Sequence, residues 1–165
     1  MINSNAQEKI TNIILSFLVV LGIFTITACC FDFFYDLNDD MVIKDILSGA
    51  YSGTPDGHTN QMLYPIGWLI SSLYKVLPGA PIFGVFLCVC FGICFAMITY
   101  RTEKISGNTK TKIATVILMV LVFLSLMLWE LVYVQYSVVC GCLAGTACFW
   151  FYTRIKCLVN ILHLL

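Results

Sequence analysis

Charge is what this sequence has least of: 11% of its 165 residues are Asp, Glu, Lys or Arg, where soluble domains carry about 25%. So little charge cannot cover the surface of a water-soluble domain of this length. Net charge is absent too, since nine Lys and Arg balance nine Asp and Glu, and this excludes the basic surplus that a nucleic-acid partner requires. No CxxC pair occurs among the nine cysteines. Each cysteine lies in or beside an apolar run, where Cys acts as a small packing residue rather than as a disulfide or metal ligand. No Lys, Arg, Asp or Glu is expected at mid-membrane, Asp32 and Glu130 falling near the outer ends of the spans, which removes the usual mark of a proton relay or ion path.

Long apolar runs are what remain. A bilayer core needs roughly 20 apolar residues per helix, and 60% of the chain is hydrophobic. Spans are expected at about residues 13–34, 81–100, 113–132 and 137–153, the last two formed by folding one long run near Glu130. The reading is an all-α, polytopic helical membrane protein with about four transmembrane helices. Lys9 ahead of the first run, with Ile26-Thr27-Ala28-Cys29 inside it, resembles a cleavable lipoprotein leader. The run exceeds the 7–15 residues of a signal core, so an uncleaved anchor is expected.

Orientation follows from where the few charges lie. Residues 101–112 carry Arg101, Lys104, Lys110 and Lys112 against Glu103, and such a basic loop belongs on the cytoplasmic side. Residues 35–80 carry Asp36, Asp39, Asp40, Asp45 and Asp56 against Lys44 and Lys75. The side of this acidic loop depends on residues 62–77. If they do not cross, the N-terminus is cytoplasmic, the loop is extracytoplasmic, and seven basic residues lie inside against two outside. If they cross, the basic count is the same and the loop is cytoplasmic. Sixteen residues are short for a span. Their helical pattern sets Tyr64, Trp68, Ser71 and Lys75 on one stripe, with Leu63, Ile66, Ile70, Leu73 and Leu77 on another, and Trp and Tyr suit the headgroup layer. A surface helix is therefore expected, in a multi-pass protein of the cell membrane.

The acidic loop holds the candidate chemistry. Asp36-Leu37-Asn38-Asp39-Asp40 leads into a short helix ending at Gly49. Asn38 or Asp39 can cap its first amides, Asp40 suits the positive end of its dipole, and Asp40 and Lys44 are four residues apart. Ser52-Gly53-Thr54-Pro55-Asp56-Gly57 is turn chemistry, followed by His58. In the last span Gly141 and Gly145 form a GxxxG, which fits packing within the chain or against a second helix.

The order of first span, Asn38-Asp39-Asp40, Ser48-Gly49-Ala50-Tyr51-Ser52-Gly53-Thr54-Pro55-Asp56, Tyr64-Pro65-Ile66-Gly67 and Leu73-Tyr74-Lys75-Val76-Leu77-Pro78 resembles the opening of bacterial polytopic glycosyltransferases of the GT-C type, over roughly residues 10–150. The resemblance implies a first outward loop with surface helices, an Asp acting as general base on the acceptor, and a sugar donor carried on a polyprenyl phosphate. Asp39 or Asp40 would be that base. Asp36, Lys44, His58 and Lys75 are the accompanying binding candidates. No cofactor is assigned, although Asp36, Asp39 and Asp40 together offer hard oxygen ligands for Mg or Mn. Members of that family have many more spans, so the chain is expected to be an N-terminal piece or truncated copy, acting as an enzyme only within a longer protein. The rivals are a small non-catalytic membrane scaffold or subunit, and an acidic-loop cation-binding accessory.

Overall fold

The computed structural model describes residues 4–36, 38–105 and 108–162; His163 and the side chains of Lys9, Asn38, Lys156 and Cys157 lie outside that description. The elements run α1 (Ser4–Cys30), β1 (Phe34–Tyr35), α2 (Asn38–Ser48), α3 (Tyr64–Val76), α4 (Ile82–Ile105), α5 (Thr109–Val122), a π turn (Phe123–Met127), α6 (Leu128–Val132), β2 (Tyr133–Val134) and α7 (Tyr136–Leu162). The all-α expectation holds, and four helical stretches are long and apolar enough to cross a membrane: Ile10–Cys30, Ile82–Ile105, Thr109–Val132 and Tyr136–Ile155.

α4 is the axis of the molecule, with α1, α5 and α7 packed around it. α1 and α4 run antiparallel: Ser16 meets Glu103, Val20 and Phe24 pack on Gly92, and Tyr35 lies over Gly84. The connection from α1 to α4 therefore leaves and rejoins the bundle at one end, the acidic end, and α2 and α3 stay there. At about 1.5 Å per residue the 13 residues of α3 reach about 20 Å, short of the roughly 30 Å hydrocarbon core. Reporter fusions at Asp56 and at Asn108 are accordingly expected on opposite sides of the membrane; reporters on one side would mean that residues 62–77 cross.

Local signals explain the ends of α3. Pro65 sits in its first turn, where a missing N–H is harmless, and Pro78-Gly79 stops it, with Gly79 at φ 86°. Gly67, Ile70, Ser71 and Tyr74 form its buried face. Of the expected apolar stripe only Ile70 is buried. Leu63, Leu73 and Leu77 point away from the protein, as suits a helix that lies against lipid.

Three features differ from the sequence expectation. α4 continues past Tyr100 to Ile105, because Arg101 and Glu103 are housed within the bundle rather than in a loop. Arg101 Nε donates to Thr153 Oγ1 at 2.7 Å, and its guanidinium stacks over Trp150, 5.5 Å from the ring centre. Glu103 is fully buried and accepts from Ser16 Oγ at 3.2 Å. Next, the third span contains the π turn. Eight residues of regular α-helix would leave Leu131 about 80° away from Phe123 around the axis. One extra residue in a turn shifts the phase by about 100°, so both side chains face inward, and both are buried. Phe123 packs edge-on to Phe95 and Phe91, at 5.0 and 6.3 Å. Finally, β1 and β2 pair in parallel, Phe34 with Tyr133 and Tyr35 with Val134, tying the exit of the first span to the end of the third.

The cysteines whose state is described are free, and Cys94 is buried, as a packing role requires. Cys29, Cys30, Cys140 and Cys148 are exposed, facing outward from the bundle.

Candidate functional site

The acid cluster is divided by helix geometry. Adjacent residues on a helix project about 100° apart, so Asp39 and Asp40 at the start of α2 cannot face the same way. Asp40 turns inward and is 2% exposed. Its Oδ1 accepts the backbone N–H of Tyr136 at 2.9 Å, the first residue of α7. Nothing within α7 can accept from that N–H. Asp40 thus stands at the positive ends of two helices, its own and α7. Asp39 turns outward, is exposed, and lies 3.5 Å from Gln61 Nε2.

Asp36 is exposed, and its backbone N–H donates to Val134 O at 3.4 Å, extending the β1–β2 pairing by one residue. Lys44 pairs with its neighbour Asp45 at 2.5 Å. Lys75 is exposed in the last turn of α3. Asp36, Asp39 and Asp40 do not converge: among the described residues no three His, Cys, Asp or Glu side chains are placed to hold a metal ion. The inward turn of Asp40 is the physical reason.

His58 is bound into the loop. Its ring Nδ1 lies 2.7 Å from Asp56 Oδ1, and its backbone N–H donates to the same oxygen at 3.0 Å. Its ring packs on Tyr64, 4.4 Å between centres. The His58 side-chain hydrogen bond, helped by the backbone one, holds the Asp56 carboxyl below its ordinary range. Because that pKa is depressed on folding, the stabilisation is present above the usual carboxylate pKa and disappears as pH falls through the lowered value. Gly57 lies against α3 so closely that a Cβ on Gly67 would stand 2.2 Å from Gly57 O. Two bare backbones are in contact there, which only glycine at both positions permits.

Two phenols complete the acidic end. Tyr74 Oη accepts from Phe83 N–H at 3.1 Å, and Tyr35 Oη is held by the backbone of Gly84. Both satisfy orphan amides in the first turn of α4. Burial first, then the neighbouring Tyr74, pushes the Tyr35 phenol up to about 12, so it stays protonated at neutral pH.

Below this platform an apolar groove of about 650 Å³ runs between α1 and α4. Its floor is Gly84, Cys88, Gly92 and Ala96, small residues at four-residue spacing on α4, and Phe34 and Tyr35 close its upper end. That small-residue stripe is present in the sequence, on a different helix from the GxxxG. Gly141 and Gly145 mark no close helix approach among the described residues: a Cβ on either would meet no atom within 4 Å there. No protein-family model, curated protein or solved structure matches the chain.

Proposed function

We propose that this chain is the N-terminal membrane module of a GT-C-type sugar transferase, with the acidic end facing out of the cell. The α1–α4 groove receives the hydrocarbon tail of a polyprenyl-phosphate sugar, and Asp39 is the base that takes the acceptor's proton as the glycosidic bond forms. One observation carries this reading: a long apolar groove ends at Phe34 and Tyr35, a few residues before the exposed Asp39. Of the two candidate bases Asp39 is favoured, since Asp40 is committed to Tyr136 N–H. The leaving phosphate also needs positive charge. The acidic loop has no arginine, and Lys44 is already paired with Asp45, so this reading assigns that charge to another part of the enzyme.

The test uses a polyprenyl phosphate with a photoreactive tail, added to membranes containing the protein. Labelling should map to α1 and α4 and fall about tenfold in Ala28→Trp, which fills the groove from its outer wall; a tenfold loss corresponds to about 1.4 kcal/mol of binding. In membranes competent for sugar transfer, Asp39→Asn should abolish transfer while Asp40→Asn retains it. Labelling that ignores Ala28→Trp, or transfer that survives Asp39→Asn, would remove the proposal.

A non-catalytic scaffold or subunit is the second reading, favoured by the open face of α7. There Gly141 and Gly145 would bring the backbone of a partner helix close, and Gly145→Leu would abolish self-association while leaving insertion intact.

A further inference from the structure

At the basic end, opposite the acid loop, a second groove of about 460 Å³ lies between the start of α1 and the start of α5. Its character changes along its length. Leu15, Ile113 and Ile117 line it further along the helices, while Asn12, Thr109 and Lys112 line it nearer the helix starts. Asn12 is the unexpected member. It is 8% exposed, and only its backbone carbonyl is engaged, accepting from Ser16 Oγ at 2.8 Å. Its carboxamide makes no hydrogen bond among the described residues and lines the groove. Its carboxamide is thus reached from the groove and not from the rest of the bundle, so the groove is where a partner would meet it.

The charges around the mouth select that partner. Lys112 is half-buried in the groove wall, and Lys104 and Lys110 are exposed nearby in sequence. Among the described residues Glu103, buried on Ser16, lies within electrostatic reach of Lys112, which also has another contact within the protein. The first amides of α5, capped by Asn108 at Thr111 N–H, add the positive end of a 14-residue helix. The site is therefore positive and hydrogen-bonding at the membrane surface and apolar beneath, along the direction of the spans.

We propose that this groove binds one anionic phospholipid, its phosphate set against Lys112, the Asn12 carboxamide and the Thr109 hydroxyl, and one acyl chain laid along Leu15, Ile113 and Ile117. Basic pockets between membrane helices are the sites where acidic lipid head groups are held. The proposal is independent of the sugar-transfer reading, which concerns the other end of the bundle.

Native mass spectrometry of the full chain, released from mixed phosphatidylglycerol and phosphatidylcholine nanodiscs, tests it. The unmodified protein should keep one phosphatidylglycerol in about tenfold preference over phosphatidylcholine. Asn12→Leu leaves every charge in place and should lower that retention about tenfold, as should Lys112→Gln, the scale of one lost charge-assisted hydrogen bond. Lys110→Gln should change it less than about twofold, since a surface charge outside the groove acts only through a screened field. Equal retention of the two lipids by the unmodified protein would overturn the proposal with no variant needed. So would wild-type retention in Asn12→Leu, or a loss in Lys110→Gln as large as in Lys112→Gln.

Discussion

Replacing Asp40 with alanine is expected to destabilise the protein by about 2 kcal/mol, the range for losing a helix cap and a charged hydrogen-bond acceptor together. The change leaves Tyr136 N–H without its acceptor at a half-buried position, and it takes a negative charge from the start of two helices. Asp40→Asn should recover roughly half of the loss, because the amide oxygen can still accept from Tyr136 although the charge is gone. Asp39→Ala should cost less than about 0.5 kcal/mol, as expected of an exposed side chain away from any packed feature. Denaturant titration in micelles, followed by tryptophan fluorescence, would rank the three. Equal losses for Asp39→Ala and Asp40→Ala would show that the inward and outward assignment of this pair is wrong.

Gly67→Ala should be costlier still, at about 3 kcal/mol, the upper range for forcing atoms into a packed site. The added methyl would meet the Gly57 carbonyl oxygen at 2.2 Å, and a methyl on Gly57 would meet Trp68 N at 2.5 Å. Both obstacles are backbone, so no side chain can swing aside. The segment carrying Asp56, Gly57 and His58 would have to lift from α3 and give up the packing of His58 on Tyr64. Gly53→Ala is the control. Gly53 differs in having a positive φ, 82°, and no atom lies within 4 Å of its added methyl, so only the left-handed penalty of about 1 kcal/mol applies. Amide hydrogen exchange over Gly57 to Gln61 should accelerate strongly in Gly67→Ala and little in Gly53→Ala. Equal acceleration in both would show that contact between the two backbones is not what latches the loop.

The difference between Asp39 and Asp40 marks how far the sequence could be read. Three apolar runs, the longest folded back on itself, dictated the four long helices, because backbone groups in hydrocarbon have no other way to be satisfied within one segment. Pro65 and Pro78-Gly79 marked the ends of α3, and its shortness placed it at one end of the bundle. The start of α2 was visible as an acid cluster ahead of a helical pattern. That two adjacent acids cannot face the same way was available from helix geometry alone. Which of them turns inward depends on Tyr136, 96 residues further along, and no local pattern carries that information. The same holds for Arg101 and Glu103. Their charge suggested a loop, but Trp150, Thr153 and Ser16 supply a bundle environment for them. The π turn was hidden for a related reason: hydrophobic periodicity in a segment that is apolar all round does not specify which side is buried. At the basic end nothing local marks Asn12, and only the fold sets its carboxamide in a groove, without a hydrogen bond among the described residues.

The parallel pairing of Phe34–Tyr35 with Tyr133–Val134 sets a clock on biosynthesis. At roughly 5–20 residues per second, the ribosome needs about 5–20 s after making the first of these segments before the second exists. Throughout that interval the acid-bearing loop has already been made but lacks both its strand partner and the amide that Asp40 will accept. Its final shape is therefore completed late, when the third span is in place, and a chain released before Tyr136 would carry the aspartates without the scaffold that sorts them.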